Sequence, residues 1–149
     1  MASKEREFDT YFDIIVVPCA TGSTLGGMIA GFKLLEKTDS SYKDSNRRAG
    51  LPWDQPVKIG LSESDIQERD VVIEKSFNAG KYGIVDDLTQ AGMKVLASLE
   101  GILTDPVYTG KTMNGMICRA QAGDFEKSEN ILFVNIGGVP ALSAYPDVR

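Results

Sequence analysis

The stretch IIVVPCATGSTLGGMIAGF, from Ile14 to Phe32, carries the clearest structural pattern of the sequence. Its first four residues form a continuous β-branched run, which is typical of a buried strand in a parallel sheet. A turn that contains Gly22 follows, and the next apolar residues recur at helical spacing: Leu25, Met28, Ile29, Phe32 and Leu35. We expect Ser23 or Thr24 to cap this helix. The stretch therefore predicts a strand, a glycine-containing turn and a helix.

The same alternation continues along the chain. Short apolar runs predict strands at 71–73 and 131–134. A second helix, capped by Asp86 or Asp87 and stopped by Gly101, carries Leu88, Ala91, Val95, Leu96 and Leu99. A third begins near Tyr108 and carries Met113, Met116, Ile117 and Ala120. Buried strands that alternate with amphipathic helices predict an α/β fold with a mostly parallel sheet.

One segment breaks the pattern. Residues 38–56 are polar, contain two prolines and show no period, so we expect a loop that is long for a compact domain. A helix fragment is predicted around 62–68.

Composition excludes several classes of function. The chain has 149 residues, a net charge of −5, two cysteines and no histidine. The absence of histidine excludes a Ser-His-Asp triad, a Cys-His pair and a histidine-ligated metal. The sequence also lacks the basic stripe that nucleic-acid binding usually requires, so we do not expect that function. Two cysteines, Cys19 and Cys118, favour reduced thiols in a cytoplasmic protein. The acidic N-terminus and the short apolar run after it predict neither a signal peptide nor a membrane span.

Three segments are candidates for ligand binding. The turn Thr21–Thr24 offers N–H groups and hydroxyls at a helix N-terminus, which suits a phosphate. Tyr108 and Thr109 lie at the start of a helix, where α/β proteins bind ligands. Gly137–Gly138 directly follows a predicted strand. Considered alone, the first is more simply an ordinary capped turn, the second a helix start with its tyrosine in the core, and the third a tight turn.

Together, VVPCATGSTLGGMIAGF, EGILTDPVYTGKTMNGMI and IGGVPALSAY resemble the 1-aminocyclopropane-1-carboxylate (ACC) deaminase and D-cysteine desulfhydrase family. KIGLSESDIQERDVVIEKSFNAGKYGIVDD is similar to the family's approach to an active-site tyrosine. The resemblance implies an incomplete three-layer domain over 1–149, like the C-terminal part of a tryptophan synthase β-like enzyme. It also implies the cofactor pyridoxal 5′-phosphate (PLP), a small amino-acid substrate and, for full-length relatives, a homodimer.

The resemblance also implies roles for individual residues. Tyr108 and Tyr82 match active-site tyrosines, Thr109 occupies the position that faces the pyridine nitrogen of the cofactor, and Ile136 helps to distinguish the two activities. The cofactor phosphate is assigned to Ala20, Thr21, Gly22, Ser23 and Thr24.

The sequence departs from the family in length and in the segment 38–56, which replaces a strand and the start of a helix. None of its lysines matches the motif of the family's Schiff-base lysine, which lies in an N-terminal half that has no counterpart here. We therefore expect a truncated or misassembled form of a longer enzyme, such as an incorrect gene model produces, and loss of that lysine should abolish turnover.

The specificity markers conflict. Thr109 favours D-cysteine desulfhydrase chemistry, because a hydroxyl beside the pyridine nitrogen supports a weaker electron sink than a carboxylate does. Ile136 and the wording of the other motifs favour ACC deaminase. A third hypothesis is a catalytically inactive fragment that binds a phosphate ligand or acts as an interaction module.

Overall fold

Two predicted strands pair to form the sheet. The computed structural model describes residues 7, 9–38, 65, 72–128 and 130–148. Within them, β1 (Ile14–Val16) and β2 (Ile131–Phe133) form a two-stranded sheet. The Asp13 N–H donates to the Asn130 carbonyl at 2.9 Å, and the Val134 N–H donates to the Val16 carbonyl at 2.9 Å. From the first of these bonds to the second, the residue numbers rise along both strands. The strands are therefore parallel, as the α/β prediction requires.

The first helix, α1 (Ser23–Thr38), follows β1 through the glycine-containing turn. Its first residue is Ser23, so the predicted cap already lies inside the helix, and the Gly26 N–H donates to the Gly22 carbonyl at 2.7 Å. Leu25, Ile29 and Phe32 are buried at the predicted helical spacing. Thr38 is helical, which shortens the predicted loop by one residue; 39–56 lie outside the described residues, as does the predicted fragment 62–68 apart from Asp65.

The second helix, α2 (Asp87–Glu100), has the predicted ends. Asp86 is its N-cap and accepts the Thr89 N–H at 2.8 Å. Gly101 ends it with a φ of 67°, a conformation that glycine adopts without steric cost.

The predicted apolar stripe of α2 is, however, exposed: Leu88, Val95 and Leu99 lie on the surface. The helix instead buries Thr89, Gly92 and Met93. A Cβ at Gly92 would lie 2.7 Å from the backbone nitrogen of Asn114 in α3 (Thr109–Gln121). Gly92 lets α2 and α3 approach closely. The buried face of α2 is therefore the one that packs closely against α3, and not the one with the most apolar residues.

The prediction of a strand at 71–73 is wrong at Val72 and Ile73, the two of its residues that the structure describes. Val72 and Ile73 are exposed and have no strand structure, and Val71 lies outside the described residues. In the described part of the chain no helix is long and apolar enough to cross a membrane. A 3₁₀ helix, Val139–Ala144, follows β2.

The chain divides into two compact units. The first holds the described parts of Met1–Ile15, Cys19–Ile73 and Glu129–Leu132, and therefore the turn before α1. The second holds Val16–Pro18 and the described parts of Glu74–Ser128 and Phe133–Arg149, and therefore α2, α3 and the 3₁₀ helix.

Candidate functional site

Asp105 organises the start of α3 in the second unit. Its Oδ1 accepts the N–H groups of Val107 at 2.9 Å and Tyr108 at 2.6 Å, and its Oδ2 accepts the Thr109 N–H at 2.8 Å. The carboxylate is buried, and the first N–H groups of a helix have no partner within it. One side chain therefore satisfies three backbone donors and holds the backbone from which the Tyr108 side chain projects.

A tight loop carries the other tyrosine. Ala79, Gly80 and Gly83 all have positive φ, of 58°, 73° and 75°. The Gly80 N–H donates to Oδ1 of Asn78 at 2.7 Å, which closes the turn locally. Tyr82 lies between these residues with 74% of its surface exposed, so the loop presents its phenol to solvent.

The phenols of Tyr82 and Tyr108 meet. Their oxygens lie 2.8 Å apart, within hydrogen-bond distance, and the ring centroids lie 6.0 Å apart at 57°. The hydrogen bond to Tyr82 is the main reason that the pKa of Tyr108 is raised above its ordinary value, with smaller contributions from desolvation and from the charge of Asp105. Tyr108 is therefore protonated at neutral pH and can donate a proton or a hydrogen bond.

Two buried hydroxyls lie beside this pair in the sequence. Thr104 and Thr109 are buried, and neither Oγ1 has a hydrogen-bond partner among the described residues. Native proteins satisfy most buried polar atoms, because an unpaired one costs about 1–3 kcal/mol. The Thr109 hydroxyl, in the residue after Tyr108, is therefore a hydrogen-bonding group that the described residues leave without a partner.

The segment after β2 approaches Asp105 from the other side. Gly138 has a φ of 89°, and a Cβ there would lie 2.9 Å from the Cβ of Asp105. Ile136, two residues before, is exposed at 42%. Asn135 accepts the Gly137 N–H at 3.0 Å through its Oδ1. The glycine pair therefore lets the backbone run against the residue that positions Tyr108.

The first unit contains the turn before α1. Gly22 is buried with a φ of 82°, whereas Ala20, Thr21, Ser23 and Thr24 are exposed. The hydroxyl oxygens of Thr21 and Ser23 lie 3.4 Å apart. Since the first N–H groups of α1 lack helical partners and the helix dipole is positive at this end, the turn has the donors and the potential that an anion requires.

The structure thus brings together Tyr82 and Tyr108, with Thr109 and Ile136 in the same unit. Ala20 to Thr24 form a turn in the other unit that is exposed except at Gly22. Sequence reasoning assigned no role to Asp105, although an aspartate just before a helix start is a recognised capping signal. It also assigned none to Lys111 and Tyr145, whose side chains donate hydrogen bonds to backbone carbonyls of the loop that carries Tyr82 and for which the sequence carries no signal. Neither Cys19 nor Cys118 forms a disulfide within the described residues, which also contain no cluster of ligands for a metal ion.

Proteins of known name match nearly the whole chain. It is 39% identical to an ACC deaminase of Burkholderia cenocepacia, over 96% of this chain and 45% of that protein. It is 38% identical to an ACC deaminase of Variovorax paradoxus, over 95% and 44%. It is 36% identical to a probable ACC deaminase of Cryptococcus neoformans, over 97% and 44%. The chain therefore spans somewhat less than half the length of these relatives, and no family model matches it.

A solved structure agrees. The crystal structure of an ACC deaminase homologue superposes with a TM-score of 0.62 and 28% identity, over 91% of this chain and 42% of the other. The similarity in sequence and in fold confirms the partial α/β domain, and the matched part of the relatives is their C-terminal portion. The chain is thus similar to ACC deaminases over nearly all of its own length.

Proposed function

We propose that this chain forms the phosphate-binding and tyrosine-bearing part of a PLP-dependent ACC deaminase, which opens the cyclopropane ring of its substrate to give 2-oxobutanoate and ammonia. The observation that carries the proposal is the contact of the Tyr82 and Tyr108 phenols, 2.8 Å apart, next to an unpaired buried hydroxyl of Thr109. The named relatives support the substrate class.

Each unit, considered by itself, has groups of the chemistry that one part of the cofactor requires. In the first, the turn at 21–24 offers helix N–H groups and hydroxyls to a phosphate, and Gly22 leaves room for close approach. In the second, the resemblance assigns Thr109 to the pyridine nitrogen, and its hydroxyl has no hydrogen-bond partner among the described residues. When bound, PLP would supply an electron sink for charge that develops on substrate carbon.

The tyrosine pair would handle protons. Opening the ring breaks a carbon–carbon bond and leaves a carbon that must receive a proton. A phenol that stays neutral at working pH is suited to donate it, because general acids must hold their proton until the transition state. A phenol such as Tyr108 meets this condition, and Tyr82 is the hydrogen-bonded neighbour that orients it and can replace the proton.

The second candidate is a D-cysteine desulfhydrase, which would release pyruvate, sulfide and ammonia. One observation favours it: the group at position 109 is a hydroxyl and not a carboxylate, and elimination of a thiol needs a weaker electron sink than ring opening does. We further propose a cytoplasmic location and a homodimer for the complete protein, on the resemblance alone.

A reconstituted enzyme tests the substrate. The chain is mixed with PLP and with the part of the Burkholderia cenocepacia ACC deaminase that it does not match, and both substrates are assayed. We expect 2-oxobutanoate and ammonia from ACC, and loss of both in Tyr108→Phe. Sulfide and pyruvate from D-cysteine, without 2-oxobutanoate from ACC, would overturn the substrate assignment.

The chain alone gives a second test. None of its lysines lies in the family's Schiff-base motif, so we expect it to bind PLP without turnover. After reduction of the PLP-loaded chain with borohydride and digestion, modification should be scattered or absent. One lysine labelled at stoichiometric yield would contradict this division of roles.

A further inference from the structure

The loop that carries Tyr82 is held by two side chains from elsewhere in the second unit. The Nζ of Lys111 donates to the carbonyl oxygens of Asn78 at 2.8 Å and Lys81 at 3.3 Å. The hydroxyl of Tyr145 donates to the carbonyl of Gly83 at 3.0 Å. These contacts grip the loop on both sides of Tyr82, and Tyr82 itself is too exposed for packing to fix its ring.

Lys111 has an unusual environment for an ammonium group. It is 8% exposed, and burial of a charge is costly unless hydrogen bonds compensate for lost hydration. Its hydrogen-bond partners among the described residues are the two loop carbonyls, and the carboxylate of Asp86 lies near enough for the charge of Lys111 to help lower its pKa. The buried ammonium group of Lys111 therefore bonds to the loop backbone.

Lys111 also stands three residues after Tyr108 at the start of the same helix, α3. The helix therefore presents one phenol and, through the amine, holds the loop that presents the other. Because the Lys111 side chain is buried, packing restricts its rotamer, and its hydrogen bonds then hold the loop at a fixed distance from the helix.

We infer that Lys111, assisted by Tyr145, is the residue that positions the phenol of Tyr82 against that of Tyr108. Its amine is committed to the loop carbonyls. The use of the phenol pair in catalysis rests on the proposed function, whereas the positioning itself does not.

The test uses the full chain, without cofactor or substrate, labelled with ¹³C at the tyrosine ring carbon that bears oxygen. The Tyr108 signal is assigned from its absence in Tyr108→Phe and is followed against pH. In the unaltered chain we expect a raised pKa for Tyr108. Lys111→Met should lower it towards the value found in Tyr82→Phe, and the exposed Lys94→Met should leave it unchanged.

Ring-to-ring nuclear Overhauser contacts between Tyr82 and Tyr108 give a second measurement. They should be present in the unaltered chain and in Lys94→Met, and lost in Lys111→Met. If circular dichroism shows that Lys111→Met does not fold, Tyr145→Phe decides, because it removes one hydroxyl and should weaken the same contacts.

A folded Lys111→Met chain with the same Tyr108 titration and the same ring contacts would overturn the inference, as would an unchanged Tyr145→Phe where that variant decides. Failure of the unaltered chain to bind PLP would instead contradict the proposed function and leave the positioning intact. The two failures are therefore distinguishable.

Discussion

The phenol oxygens of Tyr82 and Tyr108 lie 2.8 Å apart although 26 residues separate them in the sequence. One phenol is carried by a loop of left-handed residues and the other by a helix start that a buried carboxylate holds. The pair therefore depends on backbone geometry at two places. Changes at those places should be measurable as stability, as proton affinity or as ligand binding.

Asp105→Asn should destabilise the second unit. The amide can accept through one oxygen only, so at least one of the three N–H groups at the start of α3 loses its acceptor and meets another donor. Hydrogen bonds to charged groups contribute about 1.5–3 kcal/mol. We expect the free energy of unfolding in urea to fall by about 2–3 kcal/mol.

The matched control for this change is Asp124→Asn. Asp124 is an exposed carboxylate that pairs with Arg119 at 2.8 Å, and such surface pairs contribute about 0–1 kcal/mol. Equal losses in the two variants would show that the buried carboxylate has no special part in holding α3.

Gly138→Ala and Gly137→Ala form a second matched pair. Both glycines have a φ near 90°, which should cost an alanine about 1–2 kcal/mol. Only at Gly138 would the new Cβ meet Asp105, at 2.9 Å, whereas no atom of the described residues lies within 4 Å of a Cβ at Gly137. We expect a larger loss of unfolding free energy in Gly138→Ala.

The same pair should separate in a second measurement. Because Asp105 positions Tyr108, Gly138→Ala should also alter the pH titration of Tyr108, and Gly137→Ala should not. Indistinguishable stability and titration in the two variants would argue against a functional approach of this backbone to Asp105.

Thr109→Val removes a buried hydroxyl that lacks a partner. Without cofactor, the variant should be at least as stable as the unaltered chain, by up to about 1–2 kcal/mol, since an unsatisfied polar group is replaced by a methyl group. With cofactor, its affinity for PLP should fall, because the hydroxyl would hold the pyridine nitrogen. Thermal unfolding with and without PLP measures both effects.

Thr104→Val is the control for Thr109→Val. Thr104 is equally buried and equally unpaired, so this variant should gain similar stability, but it should bind PLP as the unaltered chain does. A loss of PLP affinity at both positions, or at neither, would contradict the assignment of Thr109.

Asp86 gives a pH-dependent prediction. Hydrogen bonds from Thr89 lower the pKa of Asp86 below its ordinary value of 3.8. A group whose pKa is lowered in the folded state stabilises it above the unfolded-state pKa and loses that effect as the pH falls through the folded-state pKa. Asp86→Ala should therefore cost about 1 kcal/mol at pH 7, and the difference should shrink below about pH 4.

Asp87→Ala provides the comparison at the next position. Asp87 is exposed and interacts with the helix dipole, so its loss should cost less, about 0.3–1 kcal/mol. A difference for Asp86→Ala that persisted unchanged down to pH 2 would show that its charge is not what caps the helix.

Local sequence patterns predicted those features of the fold that depend on residues close together in the chain. The strand–turn–helix unit at Ile14–Phe32, the Asp86 cap and the Gly101 stop depend on neighbouring residues, and the structure confirms them. The sequence could not predict that Leu88, Val95 and Leu99 are exposed, because the buried face of a helix depends on what packs against it.

The candidate site shows the same division. Resemblance singled out Tyr82, Tyr108 and Thr109, but not the residues that hold them. Lys111 and Tyr145 act on backbone carbonyls more than 25 residues away, and no periodicity or spacing encodes such a contact. Only Asp105 had a local signal, its place just before a helix.

Equilibrium dialysis against PLP, with inorganic phosphate as competitor, tests whether this chain holds PLP through the turn at 21–24. We expect one PLP for each chain, displaced by phosphate and bound more weakly by the double variant Ser23→Ala/Thr24→Val. Unsaturable uptake that phosphate does not displace, and that the double variant leaves unchanged, would contradict it.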